Sequence, residues 1–154
     1  MLNVGDKAPD FALPNADLEK SELGDYLGRS NLVLYFYPKD NTPGCTIEAL
    51  EFSDLVDEFR AADTEVLGVS MDTCLSHGDF RDQNGLMIGL LADVDGTLCQ
   101  DYHVWQEKEA HGEKRMGIAR STFVIDKEGT IRHALYNVKP KGHAQAVLEL
   151  VQQL

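Results

Sequence analysis

The 154-residue chain is poor in cysteine, with three in all, and it has no CxxC pair and no uninterrupted apolar run of about 18 residues. The last absence excludes a membrane-crossing helix. The opening MLNVGDKAPD lacks the basic region and apolar core of a secretory signal, so a cytoplasmic protein is expected. Cys45, Cys74 and Cys99 are too few and too widely spaced for the disulfide framework of a small secreted domain, and they leave at least one thiol free. His77, His103, His111, His133 and His143 stand singly, without metal-ligand spacing. No metal is expected, and each histidine reads as a surface or internally satisfied residue. Positive charge is also scarce, 14 Lys and Arg against 26 Asp and Glu, for a net charge of −12. Such a chain repels a phosphate backbone or an anionic bilayer, so neither nucleic acid nor membrane is an expected partner.

What is present suffices for one core. A 43% hydrophobic composition over this length predicts a single domain spanning residues 1–154, without repeats or low-complexity tracts. The first 30 residues, punctuated by Gly5, Pro9, Pro14, Gly24 and Gly28, predict turns and short strands packed as a flap. LVLYFY (32–37) predicts a central strand covered on both faces. Residues 45–60 predict a helix with Ile47, Phe52, Leu55, Val56 and Phe59 on its apolar stripe and Glu48, Glu51, Asp54 and Glu58 largely outside it. A strand over 65–70, a helix ending near Gly85 and a strand over 89–93 follow. STFVID and TIRHALY, flanking Lys127, Glu128 and Gly129, signal a hairpin. A last helix runs from about His143 to Leu154, with Ala144, Val147, Leu148 and Val151 on one stripe. Crossover-connected parallel strands closed by an antiparallel hairpin and a helix make an α/β protein with a thioredoxin-like fold, a central mixed β-sheet flanked by helices.

PKDNTPGC (38–45) joins the carboxyl end of the buried strand to the start of a helix, where open α/β sheets place their ligands. Thr42 suits the N-cap and Pro43 the first helical position, which puts Cys45 third, in the first turn. A sulfur there faces unpaired backbone N–H groups and the positive end of the helix dipole, which favour thiolate. Cys45 is thus a candidate nucleophile.

The PxxxTxxC pattern of Pro38, Thr42 and Cys45 resembles the peroxidatic motif of peroxiredoxins, and YFYPKDNTPGCTIEA resembles their bacterioferritin-comigratory, or Q-type, subfamily. GDKAPDFALPN, GVSMDTCLSH and GIARSTFVIDKEGTIRHA extend the resemblance over nearly the whole chain. It implies a hydroperoxide substrate, attack by Cys45 on the terminal peroxide oxygen, and a sulfenic acid product. It further implies that Thr42 hydrogen-bonds the sulfur and the peroxide, that Pro38 shields the sulfenate from water, and that Arg120 supplies the fixed cation. An arginine before a strand is ordinarily solvated, so spacing alone does not select Arg120. No cofactor is required, the reductant is thioredoxin or another thiol donor acting transiently, and a monomer is expected.

Many members of the subfamily carry a resolving cysteine five residues after the peroxidatic one, where this chain has Leu50, and others carry it at a position corresponding to Arg81. Cys74 lies two helical turns before Arg81, on the same helix face, and is the candidate resolving cysteine; a one-cysteine enzyme is the alternative. Cys99 and Trp105 read as packing residues. A thioredoxin-like disulfide reductase would need a CxxC pair, and an acidic binding module would leave the capped cysteine without a purpose.

Overall fold

In the computed structural model, which describes residues 1–154, the amino-terminal segment forms the small hairpin β1 (Ala12–Pro14) and β2 (Lys20–Glu22). The chain then enters β3 (Asn31–Phe36), every residue of which is buried. Alternation divides this strand between two cores. Leu32, Leu34 and Phe36 join a cluster with Phe11, Leu23, Cys99, Tyr102 and Val104, whereas Val33 and Tyr35 pack with Phe52, Phe59, Phe80 and Val147. The continuous apolar run thus reflects a strand covered on both sides.

Helix α1 (Pro43–Asp54) and the short α2 (Val56–Ala61) replace the single helix expected over 45–60. They part at Leu55, whose φ of −100° and ψ of 7° leave the helical region, yet Phe52, Val56 and Phe59 remain buried across the break. The expected stripe is wrong at two neighbouring positions: Ile47 is 42% exposed while Glu48 is fully buried. A partner far along the chain, described below, draws the glutamate inward.

Next come β4 (Thr64–Ser70), α3 (Cys74–Asn84), β5 (Gly89–Ala92) and α4 (Thr97–Asp101). The hairpin β6 (Trp105–Ala110) and β7 (Glu113–Ile118) has no counterpart in the sequence expectations. The chain closes with β8 (Ser121–Ile125), β9 (Ile131–Leu135) and α5 (His143–Val151), which buries the expected Ala144, Val147, Leu148 and Val151. The five-stranded sheet has the order β5-β4-β3-β8-β9, with β3 parallel to β4 and antiparallel to β8. This is the mixed, helix-flanked α/β architecture expected. In β4, Gly68 makes room for Tyr35: a Cβ there would stand 2.8 Å from the tyrosine ring, which stacks on Phe52 at 4.6 Å.

Candidate active site

Parallel pairing of β3 with β4 sends both chains out at the same sheet edge, and antiparallel pairing brings the start of β8 to that edge as well, with Phe36 opposite Ser121. Cys45, Cys74 and Arg120 therefore all lie just beyond strand ends on one side of the molecule. The largest surface cavity, about 490 Å³, is lined by Asn31, Asp63, Lys127 and Gln152 at the opposite end of β3 and holds none of these groups.

Thr42 occupies the N-cap position of α1 in extended conformation and Pro43 begins the helix, so Cys45 stands in its first turn. The expected side-chain cap is absent. The Thr42 hydroxyl instead donates to the Lys39 carbonyl at 2.8 Å, which commits its only proton and leaves its lone pairs open. Pro38, half-buried, follows the buried Tyr37 beyond the end of β3. Cys45 is 1% exposed, and Arg120 Nη2 donates to its sulfur at 3.4 Å. Arg120 Nη1 donates to Glu48 Oε1 at 2.6 Å, so one guanidinium bridges the sulfur and a buried carboxyl. Gly44 permits this approach, because a Cβ there would lie 3.2 Å from Arg120 Nη2.

Glu48 is the residue of this cluster that sequence reasoning missed. Its i, i+3 spacing from Cys45 on one helix face was the available signal. Burial pushes its carboxyl up to about 7, outweighing the attraction of Arg120, and its Oε2 atom has no hydrogen-bond partner. The Tyr35 hydroxyl is also buried without a partner, and burial first, then Glu48 and Cys45, raise its pKa. A carboxyl bound more tightly to its proton in the folded chain stabilises the fold fully below the unfolded value of 4.5, and that contribution fades as pH climbs to about 7. Glu48→Gln removes the titration. Its urea midpoint is therefore expected to gain on wild type as pH rises across that window, as denaturation curves for both proteins will measure.

Two histidines border the site, and neither is exposed. His143 shares a 2.7 Å hydrogen bond with the Thr122 hydroxyl, and burial, aided by Arg120, pushes it down to about 4. His77 is fully buried and bonds Asp40 Oδ2 at 2.8 Å and the Leu91 carbonyl at 2.9 Å. Asp40, Asp72 and His77 bring metal-ligand atom types within 4.8 Å of one another, but Asp40 and His77 hydrogen-bond each other directly, which commits a ligand atom of each. Lys108, on the unforeseen hairpin, is half-buried with its stem against Gly117; burial and then Arg120 lower its pKa, while Cys45 raises it.

Cys74 is the first residue of α3, half-buried and unbonded, behind an N-cap in which Thr73 accepts from the Ser76 N–H at 3.1 Å. Cys99 is fully buried in the opposite core, where burial and Asp93 push its thiol up, as suits a packing residue. Trp105 packs at the rim of the same core.

Residues 4–134 match the family model described as the AhpC/TSA family. A putative peroxiredoxin bcp of Helicobacter pylori is 47% identical over 96% of this chain and 97% of its own, and the peroxiredoxin Bcp of Bacillus subtilis is 41% identical over 99% and 97%. Among solved structures, a PrxQ mutant of Xylella fastidiosa superimposes with a TM-score of 0.94 at 38% identity, covering 99% of this chain and 97% of that one. The bacterioferritin comigratory protein of Xanthomonas campestris, studied for alkyl peroxide reduction, gives 0.88 at 40% identity over 93% and 90%. Matches of this extent, with a cysteine held against an arginine at the mouth of a helix, make the chain a member of the AhpC/TSA family, in its bacterioferritin-comigratory, Q-type branch of peroxiredoxins, and a thiol-dependent peroxidase.

Proposed function

We propose that Cys45 is the peroxidatic cysteine of this enzyme. The reading rests on one observation above all: the Cys45 sulfur lies in the first turn of α1 with Arg120 Nη2 at 3.4 Å. Cation and helix N-terminus both attract an anion, so they hold a thiolate and then the charge that develops as the O–O bond breaks. The thiolate attacks the terminal oxygen of ROOH. The O–O bond breaks, the departing oxygen takes a proton, and Cys45–SOH and ROH result. Thr42, its proton committed to Lys39, accepts a hydrogen bond from the peroxide. Pro38 covers the sulfenic acid from the loop side. Glu48 joins this set by fixing the Arg120 fork.

In the second half of the cycle the Cys74 thiol displaces the hydroxyl of Cys45–SOH, which releases water and forms a disulfide that thioredoxin or a similar dithiol then reduces. Support comes from the topology, since both cysteines begin helices at the same edge of neighbouring parallel strands. Hydrogen peroxide and organic hydroperoxides are the substrates, and the enzyme acts as a cytoplasmic monomer of one domain. Peroxide-treated protein digested without reductant is expected to yield a peptide pair joined through Cys45 and Cys74. A Cys45 that stays a free thiol while peroxide is consumed would sink the assignment; an oxidised Cys45 beside an unlinked Cys74 would replace it with the one-cysteine cycle.

A further inference from the structure

Cys45, whose sulfur must be resolved, is 1% exposed as a residue. No thiol, from Cys74 or from outside, can reach a sulfenic acid in that position until residues 38–45 move outward. What resists the movement is a polar cluster centred on Asp40, itself 5% exposed. The Asp40 N–H donates to Asp72 Oδ2 at 2.8 Å, and Asp72 in turn accepts from the Ser70 hydroxyl at 2.6 Å. The Asp40 side chain accepts from the Tyr37 hydroxyl at 2.6 Å, from the Ser76 hydroxyl at 2.8 Å and from His77 Nδ1 at 2.8 Å. His77 Nε2 also bonds the Leu91 carbonyl at 2.9 Å, so the ring is held between Asp40 and β5. Burial opposes charge on Asp40, but the hydrogen bonds of His77, Tyr37 and Ser76 prevail and hold its carboxyl below the ordinary range.

This one side chain fastens the loop before Cys45 to the first turn of α3, whose first residue is Cys74. The two segments that must shift to meet are tied to each other through Asp40.

We propose that Asp40 is a positioning residue that keeps the Cys45 loop closed on α3, and thereby sets how the sulfenic acid divides between disulfide formation and over-oxidation. The proposal rests on the peroxidatic reading of Cys45. A closed loop holds Cys45–SOH where a second ROOH can transfer another oxygen, giving the sulfinic acid and ROH; an open loop presents it to a thiol, giving a disulfide and water. Opening competes with that second oxidation, and each charge-assisted bond lost from the cluster speeds the opening.

The test measures two quantities separately: the rate of first oxidation of Cys45 by hydrogen peroxide, and the fraction of Cys45 carrying two added oxygens after recycling turnover with dithiothreitol, by mass spectrometry. Asp40→Asn is expected to keep the first rate within about threefold and to lower the over-oxidised fraction at least about tenfold, with Ser76→Ala falling between it and wild type. Ile131→Ala, which weakens the opposite core around Leu32 and Ile125, is expected to leave the division unchanged. Over-oxidation of Asp40→Asn equal to or above that of wild type, or an equal drop in Ile131→Ala, would overturn the proposal. A wild-type Cys45 that stays a free thiol in the first-oxidation measurement would instead overturn the peroxidatic reading of Cys45 on which the proposal stands.

Discussion

Cys45→Ser is expected to consume peroxide no faster than buffer, a loss of more than about a thousandfold, because a serine hydroxyl in the same place stays protonated and cannot displace an alkoxide from peroxide oxygen. The fold should survive the change. The sulfur is packed with Ala49 and Phe52 in one of the two cores, and serine is of similar size, so circular dichroism and a urea midpoint near wild type are the controls. Peroxide consumption at the wild-type rate by a folded Cys45→Ser protein would move the nucleophile elsewhere, and Cys74 would be the next thiol to replace.

Arg120→Leu is expected to lower kcat/KM by about two to three powers of ten, the usual effect of deleting one preorganised donor from a developing anion. It should also destabilise the protein, since Glu48 loses its only hydrogen-bond partner while fully buried. Breaking a buried pair in this way costs on the order of 3–5 kcal/mol where the carboxyl is ionised. The sign of the pH dependence follows from Glu48, held up near 7 even beside the arginine. Below that value it can take up a proton and shed its charge, so the penalty is expected to shrink in acid and grow in alkali. Arg120→Leu with Glu48→Gln should recover much of the stability and none of the activity. Stopped-flow peroxide reduction and denaturation at two pH values separate these effects; an Arg120→Leu enzyme of wild-type kcat/KM would remove the guanidinium from the chemistry.

The chain order of strands and helices was legible because both carry strong periods. LVLYFY could hardly lie anywhere but in a two-sided core, and the stripe of Ala144, Val147, Leu148 and Val151 is the buried face of α5. The β6–β7 hairpin escaped because WQEKEA and EKRMGI are largely polar, with only Trp105 and Ile118 against a core, and are joined by His111 and Gly112, both in the left-handed region, a turn that sequence signals only weakly. At the site, the cysteine and its proline-led helix start could be read locally. Glu48 and His77 could not, because their burial depends on partners 72 and 37 residues away. Thr42 shows the limit of local reading in the other direction: its backbone takes the cap position, while its hydroxyl turns back to Lys39.

The pairing of Phe36 with Ser121 leaves Arg120 a single step past the last rung between β3 and β8. One residue inserted between Arg120 and that rung would carry the guanidinium about 3.3 Å along the strand and point it to the other side of the sheet. Lengthening the tip at His111 and Gly112 would disturb nothing of the kind. Tolerance of insertions should therefore differ sharply between two stretches less than ten residues apart, with descendants of this chain free to vary the hairpin tip and bound to keep the spacing that leads into β8.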